Sequence, residues 1–163
     1  MRTIGLRATF STVILVLLAI GVPAVRSDSD DLGGKFTFPN STNTYTNPCE
    51  GNIAVNGTVN FTTFVHATSS GGGKGSVLVS VLFTGGSLTD TLTNKFVMHG
   101  SATAFYDTLS DHYVLPTVLD YDDSSNSSLD FFGLTDTTVF VDPKTQKPFG
   151  FRNVGAPPVC NKK

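Results

Sequence analysis

Three histidines, thirteen acids and two cysteines carry nearly all the reactive chemistry open to this chain of 163 residues. His66, His99 and His112 are far apart in sequence, and no pair has a zinc-ligand spacing. A tetrahedral zinc site would need three or four N, S or O ligands converging from different elements. Asp107 and Asp111 beside His112 form the densest polar neighbourhood. The run Asp120, Asp122, Asp123, Asn126, Asp130 offers the oxygen chemistry that calcium prefers. An EF-hand, however, would want glycine at its sixth place and glutamate at its twelfth, and counting from Asp120 those places hold Ser125 and Phe131. Serine, histidine and aspartate are all present, but the nucleophile elbow G-x-S-x-G is not, and Gly100-Ser101 lacks the strand–turn–helix setting that elbow needs. Gly71 to Gly75 lacks the Lys-Ser/Thr ending of a phosphate cradle. The expectation is no catalytic residue, no metal ligand and no cofactor. Ordinary strand and turn positions account for the histidines, and a solvated loop accounts for the acids.

Four N-x-S/T triplets occur, at Asn40, Asn56, Asn60 and Asn126. Asn40 and Asn126 fall in loop-like stretches and are the two candidates for glycosylation. The competing reading is a Ser/Thr-rich surface in which such triplets arise by chance.

The elements that must position these residues are strands. Between Ile53 and Thr68, Val55, Gly57, Val59, Phe61, Thr63 and Val65 share one face and the polar residues the other, a period of two. Ser69 to Gly75 is a turn. Ser76 to Thr84 alternates again, and Gly85-Gly86 is read as the next turn, leading into Leu88 to Met98. Ser101 to Thr108 extends after His99-Gly100. His112 to Leu119 is a strand interrupted by Pro116, hence an edge or bulged strand. Leu129 to Val141 places Thr137, Val139 and Val141 on one face. Asp142-Pro143 turns the chain into Phe149 to Val154. Thr, Ser, Val, Phe and Gly dominate and there is one glutamate, Glu50, a composition suited to pleated surfaces and tight turns. The fold class expected is all-β: an antiparallel meander of seven to nine strands, a closed up-and-down barrel favoured over a two-sheet sandwich. Residues 28–48 read as a flexible lead-in, and 49–163 as a single β domain.

Compartment follows from the amino terminus. Arg2 and Arg7, then the apolar run Thr12 to Val22, then Pro23-Ala24 and Ser27, have the order of a secretory signal peptide over residues 1–27. The run is about half the roughly 20 residues that a spanning helix needs, so no transmembrane anchor is expected after processing, with an uncleaved anchor as the competing reading. Three of the eleven basic residues leave with the leader and all thirteen acids stay, so eight positive charges face thirteen negative ones, a net −5. That balance, with Arg152 the one arginine left, argues against nucleic acid and anionic lipid as partners. In an oxidising compartment Cys49 and Cys160 most simply form one disulfide, tying the first main strand to the last. Two free buried thiols are the alternative.

Asn47-Pro48-Cys49-Glu50-Gly51, followed by an alternating strand, Gly-punctuated hairpins and a last cysteine near the end, resembles a family of small secreted bacterial proteins that open on N-P-C-x-G. The resemblance spans Asn47 to Cys160. It implies secretion, an all-β fold and the Cys49–Cys160 pair, and it supplies no activity. Members often carry several histidines along the first strands, where this chain has only His66.

The functional expectation is a secreted, non-catalytic binding or surface-associated module. Its partner would be a small apolar ligand inside the barrel or a protein reading the strand edge near Pro116. In the first case Phe61, Phe83, Phe96, Phe105, Phe131 and Phe140 either line a cavity or fill the core. The alternatives are a small enzyme using His66 or the Asp107–His112 region through a barrel pocket, and a purely structural module.

Overall fold

A computed structural model describes residues 31–161; the leader read over 1–27 lies outside the described residues. The chain forms β1 (Asp31–Asn47), β2 (Ile53–Ser69), β3 (Lys74–Asp90), β4 (Lys95–Thr108), β5 (His112–Asp123), β6 (Phe131–Val141), β7 (Pro148–Gly155) and the two-residue β8 (Val159–Cys160). Neighbours in sequence are neighbours in the sheet from β1 to β7, every pair is antiparallel, and β8 pairs with the start of β6. The all-β meander is therefore what the alternating pattern dictates. It curls into a nearly closed barrel, with no backbone ladder between β1 and β7.

Eight-stranded barrels have an interior just wide enough for side chains to fill, and here the alternate residues of each strand fill it. Val55, Val59, Phe61 and Val65 of β2 meet Val77, Val79, Val81 and Phe83 of β3, all essentially without solvent exposure. Phe61 is the hub: its ring lies 4.9 Å from Phe83 and 3.9 Å, stacked, from Phe151 of β7. Of the six phenylalanines singled out in the sequence, Phe61, Phe83, Phe96 and Phe131 are core, whereas Phe105 is exposed and Phe140 half-buried on the outer face. Those four phenylalanines are fully buried members of the core.

Three features differ from the sequence reading. The stretch expected as a flexible lead-in is, from Asp31, a 17-residue strand paired along its length with β2. Its pattern is hidden because Phe38 pairs with Phe61 but Ser41 with Val59, so one extra residue interrupts the alternation beside Asn40, whose φ is 54°. Gly85-Gly86 does not reverse the chain. The register slips there between Phe83 and Leu88, and Gly86, at φ 106°, lies so close to the Thr58 carbonyl that a Cβ would collide with it. The reversal comes later, where Asp90 Oδ1 accepts the amides of Leu92 and Asn94 at 2.8 and 2.9 Å. Third, the Cys49–Cys160 disulfide is present, its Cα atoms 5.0 Å apart, but because β1 precedes Cys49 the bond encloses β2 to β8 and leaves the first strand outside the covalent ring.

Pro116 acts as expected. β5 joins β4 from Val118 to Asp123 only, and between His112 and Thr117 it is bonded to β6 alone. Across that gap the Tyr106 hydroxyl donates to the Val114 carbonyl at 2.7 Å, replacing a main-chain partner.

Candidate functional site: a polar slot at the barrel seam

The seam between β1 and β7 is held at both ends. At one end Asn47, Pro48, Cys49 and Gly51 explain their own spacing: Asn47 Oδ1 caps a short 3-10 turn by accepting the Cys49 amide at 2.8 Å, Pro48 occupies its first position and Gly51 leaves it at φ 72°. The turn aims Cys49 at Cys160. At the other end the loop between β6 and β7 folds inward. Asp142 Oδ1 accepts the amides of Lys144 and Thr145, Thr145 O then accepts the Gly33 amide at 2.9 Å, and Gln146, fully buried at φ 55°, plugs the barrel. Gln146 accepts from the Tyr113 hydroxyl and donates to the carbonyls of Ser110 and Pro143. The amide and hydroxyl of Thr145, with the amide of Lys144, all donate to Asp142 Oδ1 and hold its carboxyl below the usual range.

Between these closures the wall changes character. Thr137 of β6 stands directly opposite Asn153 of β7, and Thr135 opposite Gly155. Thr135 and Thr137 are 7% and 0% exposed, yet their Oγ1 atoms are buried without a hydrogen-bond partner, while the Asn153 side chain adjoins the Tyr45 hydroxyl. Each such hydroxyl costs about 1–3 kcal/mol, and here two follow one another on the inner face of β6. Beside them lies a slot of about 210 Å3 lined by Tyr45, Leu119, Tyr121, Thr135 and Asn153, with Gly133, Gly155, Ala156 and Pro158 around it. It exists because the sequence withholds side chains there. Gly133 faces Leu119 across the ladder, and a Cβ added at Gly133 would meet nothing nearer than Pro158 at 3.9 Å.

Two tyrosines frame the slot. Their rings are 4.8 Å apart, and Tyr121 stacks on Phe131 behind. The Tyr45 hydroxyl donates to Asn43 Oδ1 at 2.9 Å. Burial raises both phenols above the ordinary tyrosine range, Tyr121 further because Tyr45 adjoins it, so both are neutral donors at any physiological pH. No lysine, arginine, histidine or carboxylate lines the slot.

The residues singled out from sequence lie elsewhere. His66, His99 and His112 sit on different strands, half-exposed, each beside its own aspartate: Asp31 at 3.8 Å, Asp122 at 3.9 Å and Asp111 at 2.6 Å. Strand alternation splits the acidic run. Asp120 and Asp122 face outward, while Asp123 and Asp130 face in and are spent on the loop between them: Asp123 Oδ1 accepts the amides of Ser125 and Asn126, and Asp130 Oδ1 accepts that of Asp123. Among the described residues no group of three or more His, Cys, Asp or Glu side chains is placed to hold a metal ion. Asn40 is exposed at the β1 bulge, and Asn126 is exposed with its Oδ1 capping Ser128. Asn56 and Asn60 point outward from β2. No described helix is long and apolar enough to cross a membrane.

The chain matches no protein-family model, and no curated protein or solved structure matches it.

Proposed function

We propose that the protein is an exported, non-catalytic binding module whose site is the slot at the β1–β7 seam. The observation that carries this reading is the slot of about 210 Å3 at the seam, kept open by Gly133 and walled by Tyr45, Tyr121, Thr135 and Asn153. The one buried threonine on the facing wall, Thr63, has its hydroxyl bonded to the Ser80 carbonyl, whereas the hydroxyls of Thr135 and Thr137 have no such partner. Binding sites regularly keep a few convergent polar groups within an otherwise apolar lining. The signal-like leader and the single disulfide support export. The apolar-ligand version is less well supported than a polar one, because aromatic rings occupy the interior that an apolar guest would need.

Native mass spectrometry of the protein purified from its own source tests the reading, joined to a crystal structure of the same preparation. A retained small molecule contacting Asn153 is the expected result. A chain of bare mass, with only ordered water in the slot, would remove the proposal. A second reading rests on the outer face of β5 to β7, where Pro116, Val118, Leu134 and Val154 form an apolar groove of about 360 Å3 next to the unpaired half of β5. It makes that face a protein-contact surface. Val118→Asp, at a position that lines the groove and not the slot, would leave the slot intact and abolish any such contact.

A further inference from the structure

We infer that β1 is an exchangeable strand: it leaves its own barrel and pairs with β2 of a second copy of this chain, so that two copies trade first strands. The inference stands apart from the binding-module reading. Packing is the first observation. Among the described residues the fully buried apolar side chains all come from β2 to β6. β1 adds Leu32, Phe38 and Tyr45, each only partly buried against that core. It is held instead by its main-chain ladder to β2, which runs from Asp31 opposite Thr68 to Asn47 opposite Ile53. Its other edge has no ladder, and among the described residues one main-chain bond, from the Gly33 amide to the Thr145 carbonyl, crosses the seam. An element with so few buried contacts opens before the rest of a fold.

Covalent connection is the second observation. The Cys49–Cys160 bond encloses β2 to β8, so β1 departs without drawing another strand with it, and the ring keeps its core. What it vacates is the β2 edge, a row of main-chain donors and acceptors that takes an extended segment. The occupant is β1 of a second copy, because that segment already matches this edge rung by rung. The match includes the extra residue at Asn40, which shifts the register between Phe38 and Ser41; an unrelated strand would meet the bulge out of step. Exchange re-forms every contact of the closed chain, which makes it an accessible route to dimers.

The joint is the third. Asn47 and Pro48 connect β1 to the anchored Cys49. Asn47 is fully buried, its Oδ1 accepts the Cys49 amide at 2.8 Å, and its Nδ2 is buried with no partner. The closed form therefore carries an unpaired donor at the joint, a penalty that water would remove. Straightening the joint exposes that donor, once in each copy. Short joints under strain invite exchange. Each slot in the pair then takes its Tyr45 from the other copy.

A cysteine pair across the ladder tests this on the full exported chain. Thr37 and Thr62 stand opposite each other with their hydroxyls 3.1 Å apart. Thr37→Cys with Thr62→Cys, once oxidised, marks which chain supplies the strand. The protein is warmed at high concentration in high salt, which screens acids such as Glu50 and Asp122 on two copies brought together. It is then diluted, oxidised and run denatured without reductant. The expected result is a covalent dimer whose fraction rises with concentration, with Cys49–Cys160 still closed within each chain. Asn47→Ser keeps a capping oxygen and removes the orphaned donor, so it should lower the dimer fraction about tenfold. A fraction unchanged by Asn47→Ser would overturn the joint as the cause of exchange. Crosslinked monomer alone at every concentration would overturn the inference. So would a dimer by light scattering whose crosslinks all lie within one chain, the mark of ordinary association.

Discussion

The wall built by β2 and β3 and the wall built by β6 and β7 face the same interior and obey the same period of two, yet they spend their inward positions differently. The first is apolar but for Gly57 and Thr63, Val55 to Val65 against Val77 to Phe83, and the buried Thr63 hydroxyl donates to the Ser80 carbonyl at 3.1 Å. The second runs Phe131, Gly133, Thr135, Thr137, Val139 on β6 and Phe151, Asn153, Gly155 on β7. Its middle holds no large apolar side chain, and its buried threonine hydroxyls go unpaired. One wall folds the barrel. The other forgoes stability for a space with donors and acceptors around it, the departure from internal consistency expected at functional positions.

Mutations can break or sharpen that contrast. The largest effect tests what holds the polar wall in place. Replacing Cys49 and Cys160 together by serine opens a loop of 111 residues and should cost about 4–5 kcal/mol by loop entropy, read from urea midpoints. Amide exchange should then quicken first in β8 and the adjoining end of β6. Next, Phe61→Ala on the apolar wall should cost about 3–5 kcal/mol in the same assay. A much smaller loss would show that the two walls do not differ as described. On the polar wall the sign reverses: Thr135→Val and Thr137→Val remove orphaned hydroxyls and should each stabilise the protein by about 1–2 kcal/mol. Destabilisation by either would mean that these atoms have partners in solution. Gly133→Val should add about 0.5–1 kcal/mol, because glycine weakens a strand and the site has room.

The smallest effect concerns pH. Hydrogen bonds hold the Asp142 carboxyl below its ordinary value of 3.8. A depressed carboxylate contributes stability that is complete above the unfolded value and lost as pH falls through the folded one. Acidification below about pH 4 should therefore loosen the β6–β7 loop and, through Thr145, free the Gly33 amide. Hydrogen exchange at Gly33 and Thr145 checks this, and Asp142→Asn should shift the transition out of the accessible range.

Much of this architecture was legible from residues alone. Alternation from Ile53 to Thr68 and across Val77 to Phe83 dictated which face is inward, and the two cysteines bond as their count suggested. β1 was hidden because Gly33, Gly34, Pro39 and Asn40 are turn-formers by composition, and the bulge shifts the pattern by one. Only pairing with β2 carries the strand through them, Gly33 and Gly34 within the ladder and Pro39 and Asn40 as its bulge. Gly85-Gly86 misled for the complementary reason: glycine there permits close approach to Thr58, a tertiary cause invisible locally. The slot left a fainter mark. Thr137 shares its face with Val139 and Val141, so its burial could be read, but nothing in the sequence places Asn153 opposite it. Gln146 gave no signal, since a glutamine in a turn is ordinarily solvated.

The covalent ring begins at Cys49, after β1 has ended. Tension applied ahead of Asp31 would therefore load only the β1–β2 ladder, one rung at a time, while the strands from β2 onward stay locked against extension. Such a load should strip off one strand at low force and uncover the Tyr45 side of the slot, leaving the rest of the barrel standing.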